Sequence, residues 1–81
     1  MIFQTLNKLK NGDKATIYAL EAKGAIRQRL CDLGIIPGTT AQRLYSSKGN
    51  DISAYLVRGS IIALRCEDAK NIVVTPCGVR I

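Results

Sequence analysis

From residue 40 onward, short strand-forming runs alternate with tight-turn signals, and that rhythm constrains the fold more than any other feature. Runs rich in β-branched, aliphatic and aromatic residues occupy Thr40–Tyr45, Ile52–Val57, Ile61–Cys66 and Ile72–Thr75. Such spacing is typical of small all-β sandwiches and barrels. The first two runs are joined across Ser46–Asp51, where Gly49-Asn50 suits a tight hairpin turn, and the next two meet at Arg58-Gly59-Ser60. Upstream, Ala15–Leu20 supplies a fifth strand with Ala15 and Ile17 on one face. Leu20 breaks that parity, which predicts a bulge or the strand's end near Ala19. The N-terminal Ile2–Lys10 carries Leu6 and Leu9 and stops at an Asn11-Gly12-Asp13 turn. Glu67–Asn71 predicts one helical turn, with Glu67 and Asp68 where a helix start favours negative charge.

One segment breaks the β rhythm. After a loop at Glu21–Gly24, Ile26, Leu30 and Leu33 recur at i, i+4 and i+7, which predicts a helix over Ala25–Leu33 with one apolar stripe. Arg27, Gln28, Arg29 and Asp32 take the other faces. Gly34 stands where a helix ends in a left-handed residue, so Ile35 folds back on the last turn. Pro37-Gly38 then makes a second turn, Pro fixing φ at its second position and Gly taking positive φ at its third. Five short strands and one inserted helix give a mainly β fold, a small five-stranded barrel. Barrel closure removes the edges that a flat sheet exposes.

With 81 residues, of which 47% are hydrophobic, the chain makes a single domain (residues 1–81) with one compact core. The longest apolar stretches are quartets such as Ile61–Leu64, too short to span a membrane, and the N-terminus lacks the pattern of a secretory signal. The expected location is the cytoplasm. Three cysteines, Cys31, Cys66 and Cys77, form no CxxC pair and no disulfide framework. Their wide spacing makes a poor zinc set, so no metal site and no cofactor is expected. The chain has no histidine, the usual general base and the commonest metal ligand. With no Ser-His pair, no P-loop and no acid-base constellation, an enzyme is not expected. A net charge of +6 favours acidic partners.

The matching pattern is specific. Leu9–Ile17 reads LKNGDKATI, Gly24–Thr39 reads GAIRQRLCDLGIIPGT, Val57–Gly59 reads VRG and Ile62–Val74 reads IALRCEDAKNIVV. In these runs the chain resembles the FeoA family of ferrous iron transport accessory proteins over nearly its whole length. The resemblance implies an SH3-like β-barrel with one inserted helix, and contact with the cytoplasmic part of the FeoB ferrous iron permease. One departure is the hairpin tip. SSKGNDISAY, Ser46–Tyr55, lacks the family's Gly-Asp-Pro tip and is one residue longer between Gly49 and Tyr55. If Tyr55 and Val57 face inward, alternation puts Ser53 inward and Ile52 outward, and a bulge would return Ile52 to the core.

A protein of this kind leaves the iron chemistry to the permease, since ferrous sites need imidazole with carboxylate or a full thiolate set. Candidate partner contacts are Arg27, Gln28 and Arg29 on the helix, with Arg43 and Arg58 on strand and hairpin. Arginine suits an acidic patch because its planar fork engages carboxylates in two parallel hydrogen bonds. Gly34, Pro37, Gly38 and Gly59 are structural turn and cap residues. The alternative is a small-barrel nucleic-acid binder using the basic surface. It is disfavoured because the aromatic platform is thin: Tyr18, Tyr45, Tyr55 and Phe3, with Tyr55 expected in the core. The sequence leaves self-association open.

Overall fold

The computed structural model describes residues 3–76. It is mainly β, with six antiparallel strands and one short helix. Strands β1 (Gln4–Thr5), β2 (Lys14–Leu20), β3 (Thr40–Ser46), β4 (Ile52–Val57), β5 (Ser60–Arg65) and β6 (Ile72–Pro76) form one sheet in the order β1-β6-β2-β3-β4-β5. Helix α1 (Gly24–Asp32) is inserted between β2 and β3, and a single turn, α2 (Cys66–Ala69), precedes β6. The extra strand relative to the five expected is β1, which pairs Gln4 with Val74 and Thr5 with Val73. Two residues with no alternation of their own leave no periodic signal to read. The sheet is open, with β1 and β5 at its ends.

Period-two burial follows from the sequence. Ala15 and Ile17 on β2, Tyr55 and Val57 on β4, and Ile72 and Val74 on β6 all point into one core, which Leu6, Leu9, Leu30 and Ile35 complete. The bulge expected near Ala19 is present: Ile17 pairs with Val74 and Ala19 with Val73, so Tyr18 is the extra residue. That shift is what lets Leu20 also reach the core. The Arg58-Gly59 hairpin holds as well. Val57 pairs with Ser60, and both central residues have positive φ, +53° and +81°. This matches the strand twist that two-residue hairpins need.

The corner after α1 is built as the sequence predicts. Leu33 closes the helix, Gly34 adopts φ +95°, and two bonds cap the end: Gly34 N–H donates to the Cys31 carbonyl (2.9 Å) and Ile35 N–H to the Leu30 carbonyl (3.0 Å). These satisfy carbonyls that a helix end leaves unpaired. They also fold Ile35, fully buried, against Leu30, a contact that stabilises by about 1.5–3 kcal/mol for a side chain of this size. The next turn follows at once: Thr39 N–H donates to the Ile36 carbonyl at 3.1 Å across Pro37-Gly38. Gly38 N–H then reaches the Ile17 carbonyl and Ile17 N–H the Thr39 carbonyl, both at 2.8 Å, so the corner is stitched to β2.

Two expectations need correction. Ile26 does not join the core stripe; it is 49% exposed, while Leu30 is buried and Leu33 packs against the core. Only the later turns of this nine-residue helix press on the sheet. Ile52 also stays outside, at 43% exposure, with Ser53 inside. The register of β3 against β4 shifts where Arg43 pairs with Tyr55 and Tyr45 with Ala54, so the bulge falls at Leu44 on β3, not on β4. The β4–β5 ladder runs unbroken from Ile52–Arg65 to Val57–Ser60. At the tip, Gly49 takes φ +87° within a 3-10 turn, Lys48–Asn50, and Ile52 N–H caps back on Ser47 Oγ at 3.1 Å.

Substitution at the corner tests this construction. A Cβ on Gly34 would lie 3.4 Å from Arg58 Cδ and 4.0 Å from Val57 Cγ1, so space is adequate and the cost comes from φ. Gly34→Val should lower stability by about 1–3 kcal/mol in urea unfolding, because a β-branched residue resists the left-handed region. Pro37→Ala should cost less, chiefly through the unfolded chain's entropy. Equal stability of Gly34→Val and the parent would contradict the assigned helix end.

Candidate partner-binding surface

The expected contact residues fall into three environments. Arg27, Gln28 and Arg29 lie on exposed faces of α1. Arg27 nevertheless has local work: its Nη1 donates to the Leu20 carbonyl at 2.9 Å, tying the first helical turn to the end of β2. Gln28 Nε2 donates to Asp32 Oδ1 at 2.9 Å along the helix surface. Arg29 instead borders a cleft of about 170 Å³ between α1 and β5, together with Ile26, Ile52, Arg65 and Asp68. The two isoleucines that leave the core therefore meet here. Arg65 has an exposed carboxylate neighbour, Glu67, at 4.0 Å, a pair that solvent screens heavily.

Arg58 sits at the exposed β4–β5 hairpin tip, the one described non-glycine residue with positive φ. Its Cδ passes over Gly34, so the tip leans on the corner. Asn is the usual choice where φ is positive. An arginine held there keeps a cation at the tip at some backbone cost.

Arg43 departs from the expectation. It is 6% exposed, so it is not an outward contact. Its Nη1 donates to the carbonyls of Leu9 and Asn7, the latter at 3.4 Å, and both acceptors lie in the N-terminal segment. The signal for this was available: Ala41 is buried, and period two carries Arg43 inward before the Leu44 bulge turns Tyr45 out, at 61% exposure. Tyr55, beside Arg43 on the next strand, places its hydroxyl 3.5 Å from the Leu6 carbonyl. Burial raises the Tyr55 phenol above its ordinary value, opposed by the Ser53 hydrogen bond and by the Arg43 charge. Its ring is in the core, which leaves Tyr18, Tyr45 and Phe3 as exposed aromatics. Phe3 and Tyr18 contact each other, centroids 4.6 Å apart.

Among the described residues no three His, Cys, Asp or Glu side chains gather as a metal would require. Cys31 is half-buried and Cys66 exposed; Cys77 lies outside the described residues. No helix among them is long and apolar enough to cross a membrane.

Arg43→Met keeps much of the side-chain volume but orphans the carbonyls of Leu9 and Asn7. Each buried group left unsatisfied costs about 1–3 kcal/mol, so unfolding in urea should show a loss of about 2–4 kcal/mol. A change below about 0.5 kcal/mol, the level of an ordinary surface substitution, would mean that Arg43 is not a structural tie.

Comparison with known proteins agrees with this architecture. The FeoA domain model matches residues 4–76. Fe(2+) transport protein A of Campylobacter jejuni is 36% identical over 70 residues, covering 86% of this chain and 95% of that protein. An Fe(2+) transport protein A/Fe(2+) transporter FeoB fusion protein of Porphyromonas gingivalis is 32% identical over 69 residues, which are 85% of this chain and 8% of the fusion. Among solved structures, zinc-complexed FeoA of Stenotrophomonas maltophilia, described as a prokaryotic SH3 domain protein, superposes with a TM-score of 0.78 at 28% identity, covering 88% of each chain. The architecture described above is thus that of a known SH3-like fold, and the chain belongs to the FeoA domain family.

Proposed function

We propose that this chain is a non-enzymatic accessory protein of ferrous iron transport, working in the cytoplasm by binding the cytoplasmic part of a FeoB-type permease. The observation that carries the reading is the Porphyromonas gingivalis relative, in which the matching region and FeoB share one polypeptide. Fusion raises the effective concentration of one module at the other, an advantage when the two must touch.

The contact surface in this reading is the face shared by α1 and the β4–β5 hairpin. Arg29 and Arg58 supply exposed charge for an acidic patch, and Ile26 and Ile52 supply apolar area in the adjoining cleft. Apolar anchors within a charged rim are the usual anatomy of a specific interface. Arg27 contributes by holding α1 in place through Leu20, so it is a poor choice for a charge-reversal test.

The test is co-purification of tagged protein with a solubilised FeoB-type permease. Arg29→Glu/Arg58→Glu should weaken capture by about tenfold or more, equal to about 1.4 kcal/mol, while the thermal midpoint stays near the parent's. Lys10→Glu/Lys14→Glu, the same charge change at exposed sites on the N-terminal segment and β2, should leave capture near the parent level. Absence of capture by the parent would refute the permease reading. Equal losses in both variants would refute the surface.

A further inference from the structure

A second cleft, of about 540 Å³, opens beside the N-terminal segment and shares no lining residue with the first, and its lining is cationic. Lys8, Lys10 and Arg43 border it with Asn7, Asn11, Ser46 and Ser53, and among the described residues no carboxylate belongs to the lining. The nearby Asp13 side chain is turned to the Lys10 backbone N–H, at 3.0 Å. We propose that this cleft binds a compact anion through its phosphoryl groups.

The geometry of the donors favours that class. Lys8 and Lys10 flank Leu9, which is buried, so the two exposed ammonium groups are set on either side of an anchored residue. Arg43 anchors the same segment by bonding the Leu9 and Asn7 carbonyls. Opposite, Ser46 and Ser53 are direct cross-strand partners on the cleft wall; Ser53 is bonded to Tyr55, so Ser46 is the hydroxyl offered on that side. Ammonium, amide and hydroxyl groups thus approach from the N-terminal segment and β3. Separate point donors from several directions suit a tetrahedral oxyanion. A planar carboxylate is better matched by a guanidinium fork. Here Nη1 of the bordering guanidinium is directed at backbone carbonyls. The volume falls within the ~300–1,000 Å³ usual for small-ligand sites.

This site is separate from the permease-facing surface and stands or falls independently of it. The probe is inorganic pyrophosphate, titrated into the reduced protein at constant ionic strength and followed by amide chemical shifts. Saturable shifts should concentrate on residues 7–11, 46 and 53. Lys8→Gln/Lys10→Gln should weaken the affinity by about tenfold or more, whereas Lys14→Gln/Lys23→Gln, removing two exposed charges elsewhere, should change it by less than about twofold. A parallel arm with a nucleoside diphosphate identifies the source: tighter binding than pyrophosphate assigns a nucleotide, weaker or equal binding a free phosphate compound, and both support the site. Citrate binding as tightly as pyrophosphate would overturn the phosphoryl assignment. Shifts that do not saturate, or equal losses in both double variants, would reduce the cleft to diffuse surface charge and overturn the proposal.

Discussion

Arg43 places a charge inside a domain of this size, and the rest of the architecture is arranged around giving it acceptors. A buried cation is costly unless hydrogen-bonded. The acceptors here are the carbonyls of Asn7 and Leu9, more than thirty residues earlier in the chain. The same strand position is tied by its backbone: Arg43 N–H donates to the Asp13 carbonyl (2.9 Å) and the Arg43 carbonyl accepts from Gly12 N–H (2.7 Å). Four hydrogen bonds from one residue thus fix the segment from Asn7 to Asp13 against β3. Leu6 and Leu9 are thereby delivered to the core, and Lys8 and Lys10 to the cleft rim. Structure and candidate ligand site share one cause.

The second fixed point is the corner at Gly34. Its cap buries Ile35 under Leu30, and the following turn is bonded to Ile17 on β2. Arg27 ties the other end of α1 to Leu20. Held at both ends, the helix stands beside β5 with Ile26 and Arg29 bordering the cleft there. Residues with structural duties, Arg27 and Leu30, therefore stand beside exposed ones, Gln28 and Arg29, along one short helix. A scheme that treats its arginines alike loses that distinction.

How much of this was legible depends on the range of the interaction. The helix end, the Pro37-Gly38 turn, the Arg58-Gly59 hairpin and the bulge at Tyr18 are local, set by φ preferences and period-two alternation, and the residues announce them. Ile26 was misplaced because helical periodicity gives a stripe but not how far along the helix the sheet extends. Alternation put Ile52 outward and Ser53 inward, as found, but the bulge that would have returned Ile52 to the core falls at Leu44 on the neighbouring strand. Arg43 is the instructive case. Alternation from Ala41 pointed it inward, but its acceptors are backbone groups of a segment with little regular structure, and no residue type encodes an accepting carbonyl. The clefts were invisible for the same reason: each gathers side chains from elements distant in sequence.

Amide hydrogen exchange on Arg43→Met is the most direct measurement of the central claim, that this side chain secures the N-terminal segment. In the parent, Leu9 N–H bonds the Leu6 carbonyl, Gly12 N–H the Arg43 carbonyl and Asp13 N–H the Lys10 carbonyl. The account predicts that in the variant these amides lose more protection than the global loss of stability explains, as a local opening does. The β4–β5 ladder, represented by Tyr55 and Ile62, should follow the global change alone. Uniform loss across both regions, or unchanged protection at Leu9, Gly12 and Asp13, would contradict it.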